Sequence, residues 1–481
     1  MKKYHIITYG CQMNHSDSER IAAVLEKIGY KPASKINKAN LIVVNMCSVR
    51  QSAVDRVFGA SQKFIRLKTS NHKLKTVLTG CILKEDKKKF GDKFDLILDI
   101  KNLQNWPQIL SKRQYNNRTI EHCNNYLQLP PKCQTDFSVL IPISNGCDNF
   151  CSYCVVPYVR GHLVCRPAEE ILEEIKNLVK GELNPVRNMI SNPIREEFSN
   201  GAGGAREIWL LGQNVNRYRS KSKIKSQKSK IINFAKLLRM VNDIPGDFWI
   251  RFTSPHPKDF SDELIEAMAK CKKVTPYLNL PLQSGNNKIL KKMNRNYTTN
   301  DYKKLVKEIR KAIPEITLST DVIVGFPGET KKQFENTAKL FRELKFDMAY
   351  ISKYSPRPQT SAAKLKDNVP HQEKEKRWKI LTNILKKTAL KNNKKYIGGT
   401  MEVLVNNAKK REPERKNTQN IRAGSCSNLC KFMCSGKTKT YKTVKFESNK
   451  NLIGRIIRVK IIDALPWGLK GKIVKEKRAP L

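Results

Sequence analysis

Short apolar runs alternate with amphipathic stretches along most of this 481-residue chain, and that alternation restricts the fold more than any other feature. Tyr4 to Thr8 is followed by Ser18 to Ile28 at helical spacing, then by Leu41 to Val44, a helical stretch from Val49, and Thr76 to Leu78. Such a pattern predicts parallel strands joined by crossover helices. Cys11, Cys47 and Cys81 each fall just past one of these strands, 36 and 34 residues apart. In an open parallel sheet the carboxyl ends of the strands share one edge, so three thiols distant in sequence can meet there.

The same alternation resumes near Phe137. Expected strands are Val139 to Ile143, Ile208 to Leu211, Phe248 to Phe252, Tyr277 to Leu280, Ile316 to Val324 and Met348 to Tyr354, with helices between them. Six such units predict a partial parallel (β/α)6 barrel. Asn184 to Arg206 and the Lys/Ser run Arg219 to Lys230 interrupt the pattern and read as inserted, flexible loops. After a basic helical linker, His371 to Lys395, the period changes to short strands at Met401 to Val405, Tyr441 to Phe446, Leu452 to Ile462 and Gly471 to Val474. These predict a small antiparallel β-barrel whose first loop is swollen by a basic segment from 407 to 440. The chain is therefore expected to be an α/β multidomain protein. Residues 1–118 form an open parallel sheet, 133–370 the partial barrel with its two insertions, and 396–476 the small barrel.

Charge bears on partners. Lys and Arg number 92 against 43 Asp and Glu, a net +49. A polyanionic partner follows, nucleic acid before membrane, with a merely solvated basic surface as the alternative. The apolar run before Gly10 is too short for a signal peptide, and no run approaches the ~20 apolar residues of a membrane span. A cytoplasmic protein that does not engage membranes is expected. Thirteen cysteines, an odd number, then argue for thiolate ligands and spare buried thiols over a disulfide framework.

The sharpest local signal is Cys147-x3-Cys151-x2-Cys154, just after a strand. Three thiolates on one tight loop can hold three irons of a [4Fe–4S] cluster and leave the fourth without a protein ligand. S-adenosylmethionine (SAM) can chelate that iron, and a reduced cluster can cleave its sulfonium to a 5′-deoxyadenosyl radical. Tyr153 is placed to pack on the adenine. A zinc knuckle or an ordinary ferredoxin cluster would bring a fourth ligand nearby, and Cys165 is eleven residues further on. The N-terminal cysteines are weaker alone, since free Cys is often a buried hydrophobe. Their shared place after three strands favours a second three-thiolate cluster.

Thr8 to Asn14, Asn45 to Arg50, Thr79 to Cys81, Gly146 to Gly161 and Gly325 to Thr330 resemble the methylthiotransferase family over nearly the whole chain apart from the insertions. The resemblance implies an N-terminal methylthiotransferase domain, a radical-SAM partial barrel and a C-terminal RNA-binding TRAM domain. It implies two [4Fe–4S] clusters, an auxiliary one on Cys11, Cys47 and Cys81 and a SAM-binding one on Cys147, Cys151 and Cys154. Leu210 to Asn216, with Cys11 to Asn14 and Cys47 to Arg50, is similar to the isopentenyl-adenosine group of the family. That implies methylthiolation of C2 of N6-(dimethylallyl)adenosine, at position 37 beside the tRNA anticodon, with two SAM molecules consumed. Threonylcarbamoyl-adenosine in tRNA and a ribosomal-protein aspartate are the sister targets. Implied partners are the tRNA anticodon stem-loop, a flavodoxin- or ferredoxin-like reductant and a sulfur donor, acting on a monomer.

Gln213, Arg251, Ser254, Gln283 and Ser284 fall near expected strand ends, where a barrel keeps its site. Gln213, Gln283 and Gly325 are assigned, with Tyr153, to SAM binding; Gly325 and Gly328 serve equally well as a turn. Cys426, Cys430 and Cys434 have helical spacing but no nearby His or carboxylate, which disfavours a metal site. Cys123, Cys133, Cys165 and Cys271 read as structural. The stretch Tyr354 to Ala362 departs from the family, which usually has Gly and Pro where this chain has Gln359 and Ser361.

Overall fold

The computed structural model describes residues 1–111, 126–181, 204–221, 231–411 and 432–474. They form two compact units, one of Met1–Val274, Lys288–Tyr297 and Tyr354–Asn368, the other of Thr275–Asn287, Thr298–Lys353 and Val369–Leu481.

The first unit opens with β1 (Lys3–Tyr9), α1 (Gln12–Lys27), β2 (Lys31–Pro32), β3 (Leu41–Cys47), α2 (Gln51–Ser70), β4 (Lys75–Cys81), α3 (Lys84–Phe90) and β5 (Leu96–Ile97). Its five strands are all parallel, in the order β2-β1-β3-β4-β5. Every residue of the central strand β3 is buried, as a parallel strand covered on both faces requires. On one face Ile42, Val44, Met46 and Leu78 pack against Val54, Val57, Phe64, Phe90 and Phe94. Burial of these side chains stabilises the sheet by about 1.5–3 kcal/mol apiece. The two-residue edge strands β2 and β5 are too short to leave a periodic signal in the sequence.

The same unit carries α4 (Trp106–Ser111), β6 (Ser138–Pro142), β7 (Ser144–Asn145), α5 (Val156–Arg160), β8 (Val164–Cys165), α6 (Ala168–Lys180), β9 (Glu207–Leu211) and β12 (Trp249–Phe252); β6, β9 and β12 lie parallel in the order β12-β9-β6, and β7 pairs antiparallel with β8. Between β9 and β12, β10 (Arg219–Lys221) pairs antiparallel with β11 (Ile231–Asn233). Arg219 to Lys221 was expected in a flexible run and is instead one arm of a hairpin, since Lys and Ser tolerate an exposed strand. Residues 184–203 of the other insertion lie outside the described residues; the Ala205 N–H that follows donates to Leu178 O at 3.0 Å and closes the connection onto α6.

In the second unit β13 (Tyr277–Asn279), β14 (Thr317–Val324) and β15 (Met348–Lys353) make another parallel sheet. Two of its helices begin with reciprocal caps, Thr298 with Asp301 and Thr330 with Gln333. The long helix His371–Lys394 leads to a closed barrel of β16 (Thr400–Lys410), β17 (Phe432–Thr438), β18 (Thr443–Ser448), β19 (Ile456–Leu465) and β20 (Gly468–Ile473), in the order β16-β17-β18-β20-β19.

Two expectations for this barrel are corrected. It is mixed, because β18 and β20 run parallel; five strands cannot alternate direction all the way round a closed ring. Residues 407–410 and 432–438, read as basic loop, are paired strand, Ala408 opposite Cys434. The inward positions of β17 are small or polar, which hid its period-2 pattern beneath its charge. Cys434 is fully buried in the barrel core with Val403, Val444 and Val459, as a strand residue without helical neighbours. Cys426, Cys430 and Cys123 lie outside the described residues. Among those described, no helix is long and apolar enough to cross a membrane.

Candidate functional site

The N-terminal thiols meet through sheet register. β1, β3 and β4 are neighbours, Cys47 and Cys81 end their strands directly opposite one another, and Cys11 precedes the first residue of α1. Gly80 makes this edge possible. Its φ is +108°, and a Cβ there would lie 2.3 Å from Met46 O. Asn14 stitches the strand ends together, its Oδ1 accepting from the Cys11 N–H at 3.2 Å while its Nδ2 donates to Asn45 Oδ1 at 3.0 Å. The thiols feel one another. The hydrogen bond between Cys47 and Cys81 holds Cys47 below the ordinary thiol range and, with burial, pushes Cys81 well above it. Cys11 keeps access to solvent, yet the protein crowding it pushes its thiol up, against the pull of Arg160.

Arg160 was not singled out from the sequence, although it stands in the quoted Gly146 to Gly161 segment. Its Nε donates to Cys81 Sγ at 2.9 Å, one terminal nitrogen to Asp17 Oδ2 at 2.7 Å, and the other to Asn145 Oδ1 at 3.0 Å. Burial opposes its charge, but Asp17 and the Cys81 thiol outweigh that and hold it firmly protonated. Arg357, also missed, is 5% exposed, reaches Ser48 O and Gln51, and lies 3.7 Å from Asp86, which accepts from Ser48 Oγ at 2.5 Å. The residue after Cys47 is thereby held from a segment more than 300 positions away.

The second set of thiols lies on the loop between β7 and α5. Gly146, at φ +85°, lets the chain pass so close to His162 that a Cβ would lie 2.0 Å from its carbonyl oxygen. The Gly146 N–H donates to Gln213 Oε1 at 2.6 Å, and Cys147 N–H to Gly161 O at 3.1 Å. Ser152 N–H donates to Met293 O at 3.0 Å, and Asn294 Nδ2 to Phe150 O at 2.9 Å. Phe150 holds φ +45°, a left-handed conformation that a bulky residue keeps only when its surroundings impose it. Burial and the Cys151 thiol push Cys154 up to about 12, and burial raises Cys147 as well. Arg295, another residue without a sequence signal, is 6% exposed and directs a guanidinium nitrogen at Cys151 Sγ from 3.6 Å. Burial works against its charge, which Tyr153, Tyr297 and Cys151 restore.

Tyr153 and Gln213 lie in the first unit. Tyr153 is half-buried beside Arg295 and the last two thiols, and Gln213 braces the loop. Gln283 and Gly325 lie in the second. Gln283 holds φ +65° while its peptide bonds to Asp321 O and Ile323 N. The Gly325 N–H donates to Glu329 at 2.7 Å, and Glu329 is paired with Arg377 at 2.7 Å, which makes this glycine part of a fastened turn. Ser254 is left-handed at φ +57°, Ser284 is buried, and Arg251 forms a buried ion pair with Glu207 at 2.5 Å.

Among the described residues no three His, Cys, Asp or Glu side chains close around a single ion. A zinc site would need its ligands to share one centre at about 2.0–2.3 Å. A cubane instead takes each thiolate on a different iron, and both thiol sets have that chemistry, each with a buried guanidinium against a sulfur.

A parallel α/β chain with this cysteine loop defines a radical-SAM enzyme. Residues 141–341 match the radical SAM superfamily, and residues 3–99 match an uncharacterized protein family, UPF0004. Among solved structures, a radical S-adenosylmethionine methyltransferase from Kitasatospora setae with cobalamin and a [4Fe–4S] cluster bound is 14% identical, with a TM-score of 0.46 over 76% of this chain and 77% of that one. The protein named tRNA-2-methylthio-N(6)-dimethylallyladenosine synthase in Clostridium novyi is 38% identical over 98% of this chain and 97% of its own length. Its namesake in Carboxydothermus hydrogenoformans is 37% identical over 98% and 99%. The chain belongs to the tRNA-2-methylthio-N(6)-dimethylallyladenosine synthase family of radical-SAM enzymes, which use a [4Fe–4S] cluster and SAM.

Proposed function

We propose that this protein adds a methylthio group to C2 of N6-(dimethylallyl)adenosine at position 37 of tRNA, consuming two SAM molecules. The observation that carries the proposal is the presence, in one compact unit, of a Cys-x3-Cys-x2-Cys loop and a second thiol trio at a sheet edge. Cys147, Cys151 and Cys154 hold the SAM-binding cluster, and Cys11, Cys47 and Cys81 hold a second one. One-electron cleavage of SAM at a bound cluster supplies a hydrogen abstraction from C2 that acid–base groups cannot achieve.

The chain's own residues bind and orient. Gln213 fixes the loop through Gly146, Arg295 offsets thiolate charge at Cys151, and Tyr153 packs on the adenine of SAM. Basic residues of the C-terminal barrel hold the RNA backbone of the anticodon stem-loop, where an accessible base can be stacked. The protein works in the cytoplasm as a monomer, with a flavodoxin- or ferredoxin-like reductant and a separate sulfur donor.

Anaerobic reconstitution with iron and sulfide counting tests this, on the wild type and on Cys147→Ala/Cys151→Ala/Cys154→Ala, together with nucleoside mass spectrometry of tRNA treated with wild type, SAM and reductant. About eight irons falling to about four in the variant, with a methylthio-adenosine product, is the expected result. About four irons in the wild type and none in the variant would remove the second cluster and the assignment with it.

A further inference from the structure

We infer that Arg160 is a positioning residue for the N-terminal cluster, its hydrogen bond to the Cys81 sulfur raising that cluster's reduction potential. The inference rests on the two-cluster reading above and adds to it a named donor and a direction of effect.

The guanidinium is held without freedom to turn away. Nε meets Cys81 Sγ at 2.9 Å, one terminal nitrogen meets Asp17 at 2.7 Å, and the other is shared between Asn145 at 3.0 Å and the Tyr126 hydroxyl at 3.2 Å. Arg160 is 4% exposed, Asp17 0% and Tyr126 1%, so these bonds lie inside the protein. The planar fork of Arg can serve Asp17 and a sulfur at once, whereas a Lys ammonium is a single point charge.

Hydrogen bonds to the sulfurs are among the determinants of an iron–sulfur potential. When the cluster takes up one electron from a reductant, negative charge on its ligand sulfurs grows, and a donor already aimed at one of them favours the reduced form. Low surrounding polarity strengthens the effect. Because Asp17 balances the guanidinium charge, the directed bond persists where the net charge of the pair is zero. Arg160 also ends the short helix that follows the other cysteine loop, six residues after Cys154. One segment therefore carries three thiols of one set and fixes the surroundings of the other.

The test isolates the N-terminal cluster in the Cys147→Ala/Cys151→Ala/Cys154→Ala background, reconstituted anaerobically and titrated with dithionite under electron paramagnetic resonance. Into it go Arg160→Met, Arg160→Lys and Arg160→Met/Asp17→Asn. The last keeps the net charge and leaves no unpaired buried carboxylate, so it reports even if Arg160→Met alone does not fold. Arg160→Met should change the reduced-to-oxidised ratio at fixed potential at least tenfold toward oxidised, about 59 mV for one electron. The double variant should move the same way by less, and Arg160→Lys should fall between wild type and Arg160→Met. If about four irons bind and the double variant titrates with its Arg160 parent, Arg160 does not tune the cluster and the inference is overturned while the two-cluster reading stands. If the background binds no iron, the two-cluster reading has failed first, and the iron count separates the two results.

Discussion

Cys147, Cys151 and Cys154 lie within eight residues of chain, whereas Cys11, Cys47 and Cys81 are spread over 71 and meet only because three parallel strands stand side by side. The loop has its spacing written locally but borrows its conformation: Gln213, Met293 and Asn294 reach it from positions 67 to 145 residues away. The trio differs in both respects. Strand register brings it together, and its supports are mixed: Asn14 and Asn45 are close neighbours of the cysteines in sequence, whereas Arg160 reaches Cys81 from 79 residues away and Arg357 reaches Ser48 from 309. A local motif can thus need distant braces, and a distant constellation can combine local braces with distant ones.

The largest effects should come from the two glycines that admit each set. Gly80→Ala and Gly146→Ala each place a Cβ on a left-handed residue and against a carbonyl, 2.3 Å from Met46 O and 2.0 Å from His162 O. Strain and the backbone shift together should cost about 3 kcal/mol each. Iron counting after reconstitution should separate them. Gly146→Ala loses about four irons and keeps the N-terminal set, and Gly80→Ala does the opposite. Loss of all iron in both variants would break the comparison, making the two sets one cooperative structure.

This comparison also marks what the sequence reveals. The strands of the parallel units were legible because apolar periodicity is strong there; the expected Ile208 to Leu211 and Phe248 to Phe252 each fall within one residue of the observed strands. The cysteines were legible by spacing and by their place after strands. Arg160, Arg295 and Arg357 were not, since a buried arginine reads as one more basic residue in a chain with 92 of them, and only the fold pairs it with Asp17, Cys151 or Ser48. β17 was missed for a related reason, its pairing being non-local and its inward side chains small or polar.

Two buried titrating groups of the first unit respond to pH with opposite sign. His256 packs on Tyr297 near the loop, and burial, with Arg295 second, holds it down to about 3. Because its folded value lies below the ordinary 6.5, the unfolded chain binds the extra proton between those values, and stability is lost as pH falls from 6.5 toward 3. Glu19, on the helix after Cys11, has the opposite sign. Burial raises it to about 7 from 4.5, so the folded chain holds the proton and stability is lost as pH rises through that window. Between pH 5 and 7 the two contributions are each about 2 kcal/mol and nearly cancel. Urea unfolding of the full chain should show His256→Asn less stable at pH 7 than at pH 5, relative to wild type, and Glu19→Gln more stable, each by about that amount. Parallel behaviour of the two variants would mean that neither burial governs the pH response.

The smallest effect concerns the segment that braces the N-terminal sheet. Gln359 holds φ +69°, a conformation that favours glycine, and its amide donates to the Glu85 carboxylate at 3.1 Å, an exposed contact. A left-handed residue with a side chain costs about 1–2 kcal/mol relative to glycine. Against this stand the greater freedom that glycine gives the unfolded chain, about 0.5–1 kcal/mol, and the loss of an exposed hydrogen bond to a carboxylate. Gln359→Gly should therefore raise unfolding stability by less than about 1 kcal/mol, a rise in Tm of a few degrees at most. A fall would show that the Gln359–Glu85 contact outweighs the backbone strain and strengthens the hold on the sheet edge that carries Cys47 and Cys81.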